Sequence, residues 1–421
     1  MKLTAGQEAA IQAVRDLKKT HPEGGGVGVI SGYAGTGKTT LIKILGDEWD
    51  DQFVLTPTGK AAVRVREATG LKAKTIHRWQ YEPEEDEETG DVTFKHREIG
   101  TVEIPSSGVL IIDEASMVGF DVFSDLYSYA KRLQLNIVLI GDGFQLPPVE
   151  PEVIKQKFSV FSPDFPANFK VQLTEVLRQA LDSPIIRVSM KVRTENFAED
   201  ALGELETVVP SQLYPEALTV WENEGATISH RNITRHQINN GIRKIKGFPD
   251  VPQLHEPLLV TKNNYALDVY NGEIMPMLLK PFKLNRLPYP VTDRYRNAST
   301  FIDYYITEIM TPWGKKNVLI ADKEAFGTMG DVSVYASKKA ARKLIDTWYG
   351  HPDKEDTDGK RPVYLNANLG YALTAHKSQG SEFGNVLVVM EPTIRLNSLE
   401  GRRWCYTAIT RSKKKLKICW L

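Results

Sequence analysis

An apolar run at residues 27–31 leads directly into Gly32-Tyr33-Ala34-Gly35-Thr36-Gly37-Lys38-Thr39, and a helix-favouring stretch follows. This order of strand, glycine-rich loop and helix satisfies G-x-x-x-x-G-K-[ST]. In that pattern the glycines let successive backbone N–H groups turn toward a phosphate, and the helix N-terminus adds partial positive charge. It groups Gly32, Ala34, Gly35, Thr36, Gly37, Lys38, Thr39 and Thr40 around a nucleotide's phosphates. Lys38 is expected to reach the β- and γ-phosphates, and the Thr39 hydroxyl to ligate Mg²⁺. The loop also commits its surroundings to an α/β layout, because it needs a buried strand behind it and a helix in front.

The first 180 residues keep that layout. Strand candidates at 27–31, 53–56, 109–113 and 136–140 alternate with helical stretches near 38–49, 59–68 and 118–133. Buried β-branched strands alternating with helices predict a parallel sheet covered on both faces. A chain of 421 residues suggests two to four domains, and an apolar fraction of 41% excludes a disordered protein. No run approaches the roughly 18 apolar residues that cross a bilayer, and the N-terminal segment lacks a signal-peptide core. The expectation is a cytoplasmic protein with no membrane partner. Cys405 and Cys419 are too few for a disulfide framework and read as free thiols.

A second element narrows the chemistry. Val109-Leu110-Ile111-Ile112 runs into Asp113-Glu114-Ala115-Ser116. A buried strand ending in two carboxylates delivers Asp113 to the magnesium shell and leaves Glu114 to polarise an attacking water. A carboxylate in that place suits hydrolysis better than transfer to an acceptor hydroxyl. No N-K-x-D guanine-reading segment occurs, so ATP is favoured over GTP. Further segments follow in order. Leu139-Ile140-Gly141-Asp142-Gly143-Phe144-Gln145-Leu146-Pro147-Pro148 can place Gln145 beside the γ-phosphate, and Leu173-Thr174-Glu175-Val176-Leu177-Arg178 offers an arginine after a strand. Much later come Tyr371-Ala372-Leu373-Thr374-Ala375-His376-Lys377-Ser378-Gln379-Gly380-Ser381-Glu382-Phe383 and Tyr406-Thr407-Ala408-Ile409-Thr410-Arg411-Ser412-Lys413.

This ordered series resembles the superfamily 1 helicases, within them the RecD-like/Dda branch, over residues 3–416. The resemblance implies two RecA-like P-loop lobes, at 1–79 with 106–180 and at 181–264 with 365–421. It also implies a β-hairpin pin at 80–105 in the first lobe and an SH3-like β-barrel at 265–364 in the second. Gln7 matches the family's adenine-reading glutamine. Arg178 and Arg411 match arginines that approach the γ-phosphate, and Glu382 matches a nucleotide-sugar contact. Thr58, Thr75 and His77 resemble first-lobe DNA contacts; Thr374, His376, Lys377 and, more loosely, Asn232 resemble those of the second lobe. The implied activity is ATP- and Mg²⁺-dependent translocation on single-stranded DNA, 5′→3′, with unwinding of a duplex fork and little sequence preference. A monomer is implied, with single-strand-binding or replisome proteins as partners and a role in phage replication or recombination. The alternatives are an RNA helicase of the same superfamily and a remodelling ATPase that does not unwind.

Within 80–105, residues 82–88 carry six acids in seven positions, and 92–104 alternate like a strand. The acidic run reads as a solvated loop. Phe94 is the candidate strand-separating wedge, since an aromatic ring can stack on a base; a core-facing ring is the alternative. The 53 basic and 53 acidic residues give zero net charge, while 401–421 hold seven basic residues and no acid. That balance argues against tight, charge-saturated binding rather than against nucleic acid.

Overall fold

The computed structural model of the chain describes residues 3–50, 52–85, 92–148, 158–176, 182–194, 199–264, 266–285, 287–293, 297–322, 334–349 and 361–421. The chain packs as two compact units. The first comprises Met1–Leu205, Gln379–Glu382 and Thr393–Ser412; the second comprises Glu206–Ser378, Phe383–Pro392 and Lys413–Leu421. Of residues 181–205, grouped by sequence with the second lobe, the described ones (182–194 and 199–205) fall in the first unit.

In the first unit, β1 (Val27–Gly32), β2 (Phe53–Thr56), β3 (Lys72–Thr75), β6 (Val109–Ile112), β7 (Asn136–Gly141) and β8 (Phe169–Leu173) form one sheet. Its order is β3-β2-β6-β7-β1-β8, and every pair is parallel. Alternate residues of each strand point to opposite faces, which divides the core in two. Val54, Ile111, Val138 and Ile140 meet helices α1 (Ala5–Thr20), α2 (Lys38–Asp47) and α3 (Gly59–Thr69). On the other face, Leu55, Leu110, Ile112 and Leu139 meet Trp79 of α4 (Ile76–Gln80) and Leu126 and Tyr129 of α5 (Phe120–Arg132). The helix α6 (Pro184–Val192) also belongs to this unit.

Strand β3 was not evident from the sequence. Its four residues, Lys-Ala-Lys-Thr, form a short edge strand whose lysine stems blunt the edge, so no apolar run marks it. The expected strand over 92–104 is also too long. β5 (Val92–His96) pairs antiparallel with β4 (Tyr81–Glu85), and the chain then turns, with Thr101 N–H donating to Glu98 C=O. The tip of this hairpin, with part of the acidic run, lies outside the described residues.

The second unit carries a five-stranded sheet in the order Ala372–Thr374, Ala226–Ser229, Phe383–Met390, Ser412–Trp420, Glu206–Val208. Leu387 and Val389 pack there on helices Leu213–Glu222 and Asn232–Ile245. Within 265–364 the structure is β-rich, dominated by the antiparallel pair Tyr304–Thr311 and Gly314–Ala321, with Phe282–Leu284 beside it. Among the described residues, no helix is long and apolar enough to cross a membrane. Both cysteines are buried free thiols.

The second unit also buries an ion pair. Arg243 Nε lies 2.9 Å from Glu256 Oε1, with both side chains almost fully buried, and the guanidinium also donates to the carbonyls of Pro249 and Val251. Replacing Glu256 by Ala removes the carboxylate paired with that buried guanidinium. The expected cost is about 3–5 kcal/mol of stability, measured by chemical denaturation.

Candidate functional site

Three neighbouring strands of the first sheet supply the site from their C-terminal ends. β7 lies between β6 and β1, so three loops emerge side by side: the glycine-rich loop after β1, Asp142–Gln145 after β7, and Asp113-Glu114 after β6. The carboxyl ends of parallel strands are where open α/β sheets take ligands.

The loop after β1 turns at Gly35 and Gly37, both with φ near +80°, a conformation that a side chain would strain. Helix α2 then begins at Lys38, whose ammonium donates to the carbonyls of Gly32 (2.8 Å) and Tyr33 (2.9 Å). Thr36 Oγ1 donates to Tyr33 C=O, and Lys38, Thr39 and Thr40 are half-buried. Gln7 reaches this loop from α1. Its Oε1 accepts from Thr4 N–H in a capping box, and its Nε2 donates at 3.4–3.5 Å to the carbonyls of Thr36 and Gly37. In this arrangement the Gln7 amide braces the loop; contacting an adenine would require exchanging those bonds.

Asp113 and Glu114 are each 3% exposed. Glu114 takes a left-handed backbone, φ 53°, which turns its side chain out of the strand direction at the cost of strain. Arg64 of α3, which no sequence pattern singled out, meets both carboxylates. Its Nη2 lies 3.1 Å from Asp113 Oδ2 and 2.8 Å from Glu114 Oε1, while Nη1 lies 3.5 Å from Glu382 Oε1. Burial and the adjacent Glu114 raise the Asp113 carboxyl above its ordinary range, against the pull of Arg64. Burial pushes Glu114 the same way, but Arg64, Arg411 and Lys38 outweigh it and hold that carboxyl below its usual range. Glu114 Oε2, Ser116 Oγ and Gln145 Oε1 are buried without a hydrogen-bond partner. Ser116, Gln145 and Arg403 line a cavity of about 290 Å³ beside the carboxylates.

Arg411 is 3% exposed and donates to Thr407 C=O, Ser381 C=O and Thr410 Oγ1. Its positive field reaches Glu114. Arg178 lies outside the described residues. Tyr406, on the helix Leu399–Ile409, is a second participant that the sequence did not reveal. Its hydroxyl accepts from Ala34 N–H at 2.9 Å and donates to the carboxylate of buried Asp142. Burial, followed by Asp142, raises the Tyr406 pKa well above its usual value, so the phenol stays protonated.

Of the expected DNA contacts in the first unit, Thr58 caps α3, accepting from Ala61 N–H, and Thr75 caps α4, accepting from Arg78 N–H. The His77 ring lies edge-on to Phe94 at 4.4 Å, and burial lowers its pKa. Phe94 is half-buried and pairs in register with Pro83 within the hairpin strands. In the second unit, Asn232 opens the helix Asn232–Ile245 and is exposed, as is His376, whereas Thr374 is buried at a strand end. Lys377 is half-buried and donates to Asn271 Oδ1 at 2.9 Å. Burial, helped by Arg235, lowers its pKa to about 8.

An AAA domain model matches residues 2–208, and a UvrD-like helicase C-terminal domain model matches residues 369–419. The ATP-dependent RecD2 DNA helicase of Deinococcus radiodurans is 28% identical over 92% of this chain and 46% of its own length. An uncharacterized protein of Methanocaldococcus jannaschii, MJ1519, is 27% identical over 93% of this chain and 36% of its own. The chain thus spans less than half the length of either relative. The Bacteroides Pif1 helicase, solved with ADP-AlF3 and single-stranded DNA, shares the fold with a TM-score of 0.53 at 18% identity, covering 99% of this chain and 92% of that one.

Tyr406→Phe tests the link between the loop and Asp142. Removing the hydroxyl strands the Ala34 N–H and one oxygen of a buried carboxylate. The expected loss is about 1–3 kcal/mol, measured by chemical denaturation of the variant beside the parent chain.

Proposed function

We propose that this chain, which belongs to the superfamily 1 helicases of the RecD/Pif1-like type, is an ATP-dependent DNA helicase that moves 5′→3′ on single-stranded DNA and unwinds duplex with little sequence preference. The observation that carries this reading is the convergence of Lys38, Asp113-Glu114 and Gln145 at three adjacent strand ends of one buried sheet. Its two-lobe RecA-like α/β fold supports the same reading.

The residues present fit ATP and Mg²⁺. The loop turns its amides into a cradle through Gly35 and Gly37, and Glu114 Oε2, Ser116 Oγ and Gln145 Oε1 are buried atoms without a protein partner. Among the described residues no set of three or more His, Cys, Asp or Glu side chains is grouped to hold a metal alone, so Thr39 and Asp113 would share Mg²⁺ with phosphate oxygens. When bound, that ion would offset the negative charge of the phosphate oxygens. Lys38 exchanges its two carbonyl partners for phosphate oxygens. Glu114 accepts the proton of the attacking water, Gln145 orients that water, and Arg411 with Arg178 stabilises charge on the transferring phosphoryl group. Glu382 contacts the nucleotide's sugar side.

Thr58, Thr75, His77, Asn232, Thr374, His376 and Lys377 hold the strand through its phosphates, which carry register rather than sequence. The hairpin bearing Phe94 serves as the pin at the fork, and the β-rich segment of the second unit as the SH3-like barrel.

Three outcomes test the reading. Glu114→Gln lowers hydrolysis stimulated by single-stranded DNA by about 10²–10⁴-fold, and Lys38→Ala abolishes it; retained stimulated turnover in either variant refutes the site. A duplex with a 5′ single-stranded tail is unwound and one with a 3′ tail is not; the reverse preference overturns the polarity. Raising the pH from about 7 to about 9 carries Lys377 through its lowered pKa of about 8, so its ammonium is lost and single-strand affinity falls. Lys377→Arg, charged throughout, flattens that dependence in an anisotropy titration.

A further inference from the structure

Helix α3 joins two parts of the first unit that the proposed function treats separately. Its N-cap is Thr58, an expected strand contact, and one and a half turns further on it carries Arg64 into the carboxylates. The segment Gln379–Glu382 touches the helix at both of these points. Gly380, with φ +71°, approaches so closely that a Cβ there would lie 2.8 Å from Thr58 Oγ1 and 3.2 Å from Ala61 Cβ. Two residues later, Glu382 meets Arg64. The helix and this segment are therefore held together at the cap and again at the guanidinium.

The guanidinium has a specific geometric effect. By occupying Asp113 Oδ2 and Glu114 Oε1 it leaves Glu114 Oε2 as the buried, unpartnered oxygen of that carboxylate. Nη2 contacts both carboxylates while Nη1 turns to Glu382, so the planar fork ties three acids in fixed directions, which a point-charge ammonium cannot do equally well. The contact links α3 directly to Glu114.

We propose that Arg64 is the positioning residue that couples single-stranded DNA at the Thr58 end of α3 to the hydrolytic carboxylates Asp113 and Glu114. The inference rests on the helicase reading above and adds to it the residue through which DNA stimulates hydrolysis. DNA engaged at the helix cap sets the position of α3, and Arg64 then aims Glu114 Oε2 at the attacking water. By reciprocity, nucleotide at the carboxylates alters affinity for DNA through the same side chain.

The test uses the full chain with Arg64→Gln and Arg64→Lys, each checked for an unchanged circular dichroism spectrum. Two quantities are read: ATPase kinetics with and without a single-stranded oligonucleotide, and oligonucleotide affinity with and without a non-hydrolysable ATP analogue. For Arg64→Gln the stimulated kcat is expected to fall about 10²-fold, the loss of a correctly placed general base, with KM for ATP within about threefold. DNA affinity without nucleotide is expected to be unchanged, and the affinity ratio with and without analogue to collapse toward one. Arg64→Lys, should the Gln variant not fold, retains the charge but loses the fork and gives an intermediate kcat. Parent-like kcat and affinity ratio in either folded variant overturn the proposal. Faster hydrolysis without DNA also overturns it, because Arg64 would then be a restraint on Glu114. Failure of the parent chain to show any DNA-stimulated hydrolysis refutes the helicase reading instead, so the two failures are distinguishable.

Discussion

Asp113 and Glu114 are consecutive carboxylates, both withdrawn from water, and the surrounding architecture compensates for that juxtaposition. Each buried charge costs several kcal/mol in lost hydration, and the two repel one another. Three cations answer them: Arg64 by contact, Lys38 and Arg411 through their fields. The compensation requires precise placement, because an attraction in a low-dielectric interior falls away once the partner moves. A rigid support therefore follows as a physical requirement. β6 is flanked by β2 and β7 within the sheet and its four residues are entirely buried, so the strand end that presents the two carboxylates cannot fray. The strained backbone of Glu114 is tolerated for the same reason, since the sheet and Arg64 together hold it.

The parts of this arrangement that were legible in the sequence are those encoded locally. A run such as Val109-Leu110-Ile111-Ile112, short, β-branched and bounded by polar residues, has few alternatives to a buried parallel strand. The glycine-rich loop is defined by eight consecutive residues. Strands β1, β2, β6 and β7 and the carboxylates at the end of β6 accordingly follow from pattern alone. β3 did not, because an edge strand of alternating lysines exposes one side and looks like solvated helix flank. Arg64 was illegible for a different reason. Its partners are 49 and more residues away, and an arginine on an amphipathic helix most often pairs at the surface. Tyr406 lies 372 residues from Ala34 and sits in the continuously buried run of the helix Leu399–Ile409, where no periodicity distinguishes a functional hydroxyl from packing.

Tyr406 also shows how distant chain segments are tied to the loop. Its hydroxyl is both donor and acceptor, so one oxygen satisfies a backbone amide of the glycine-rich loop and a buried carboxylate together. Thr407, the next residue, accepts from Leu146 N–H, and Gln379 donates to Leu146 C=O. The strip Gly143–Leu146, which carries Gln145, is thus hydrogen-bonded by residues from the C-terminal quarter of the chain. A polar network with this many satisfied members favours a single arrangement, since each broken bond leaves a buried group unpaired.

The zero net charge acquires a structural meaning from where the arginines lie. Arg64 is largely enclosed, and Arg235, Arg243, Arg402 and Arg411 are buried; of the basic cluster at 401–421, Arg402 and Arg411 face inward while Lys413, Lys414 and Lys415 are exposed. The guanidiniums of Arg64, Arg243 and Arg411 are therefore committed to internal carboxylates and carbonyls, where they cannot attract a polyanion from solution. The strand contacts proposed above are chiefly hydroxyls, imidazoles and one ammonium, Lys377, whose pKa burial lowers to about 8. Such contacts are individually modest and weakly salt-dependent compared with phosphate pairing by a basic surface. For an enzyme proposed to step along a strand this distribution is advantageous: each step requires release, and a grip made of short-range, geometry-dependent bonds is broken by a small shift of the elements that carry them.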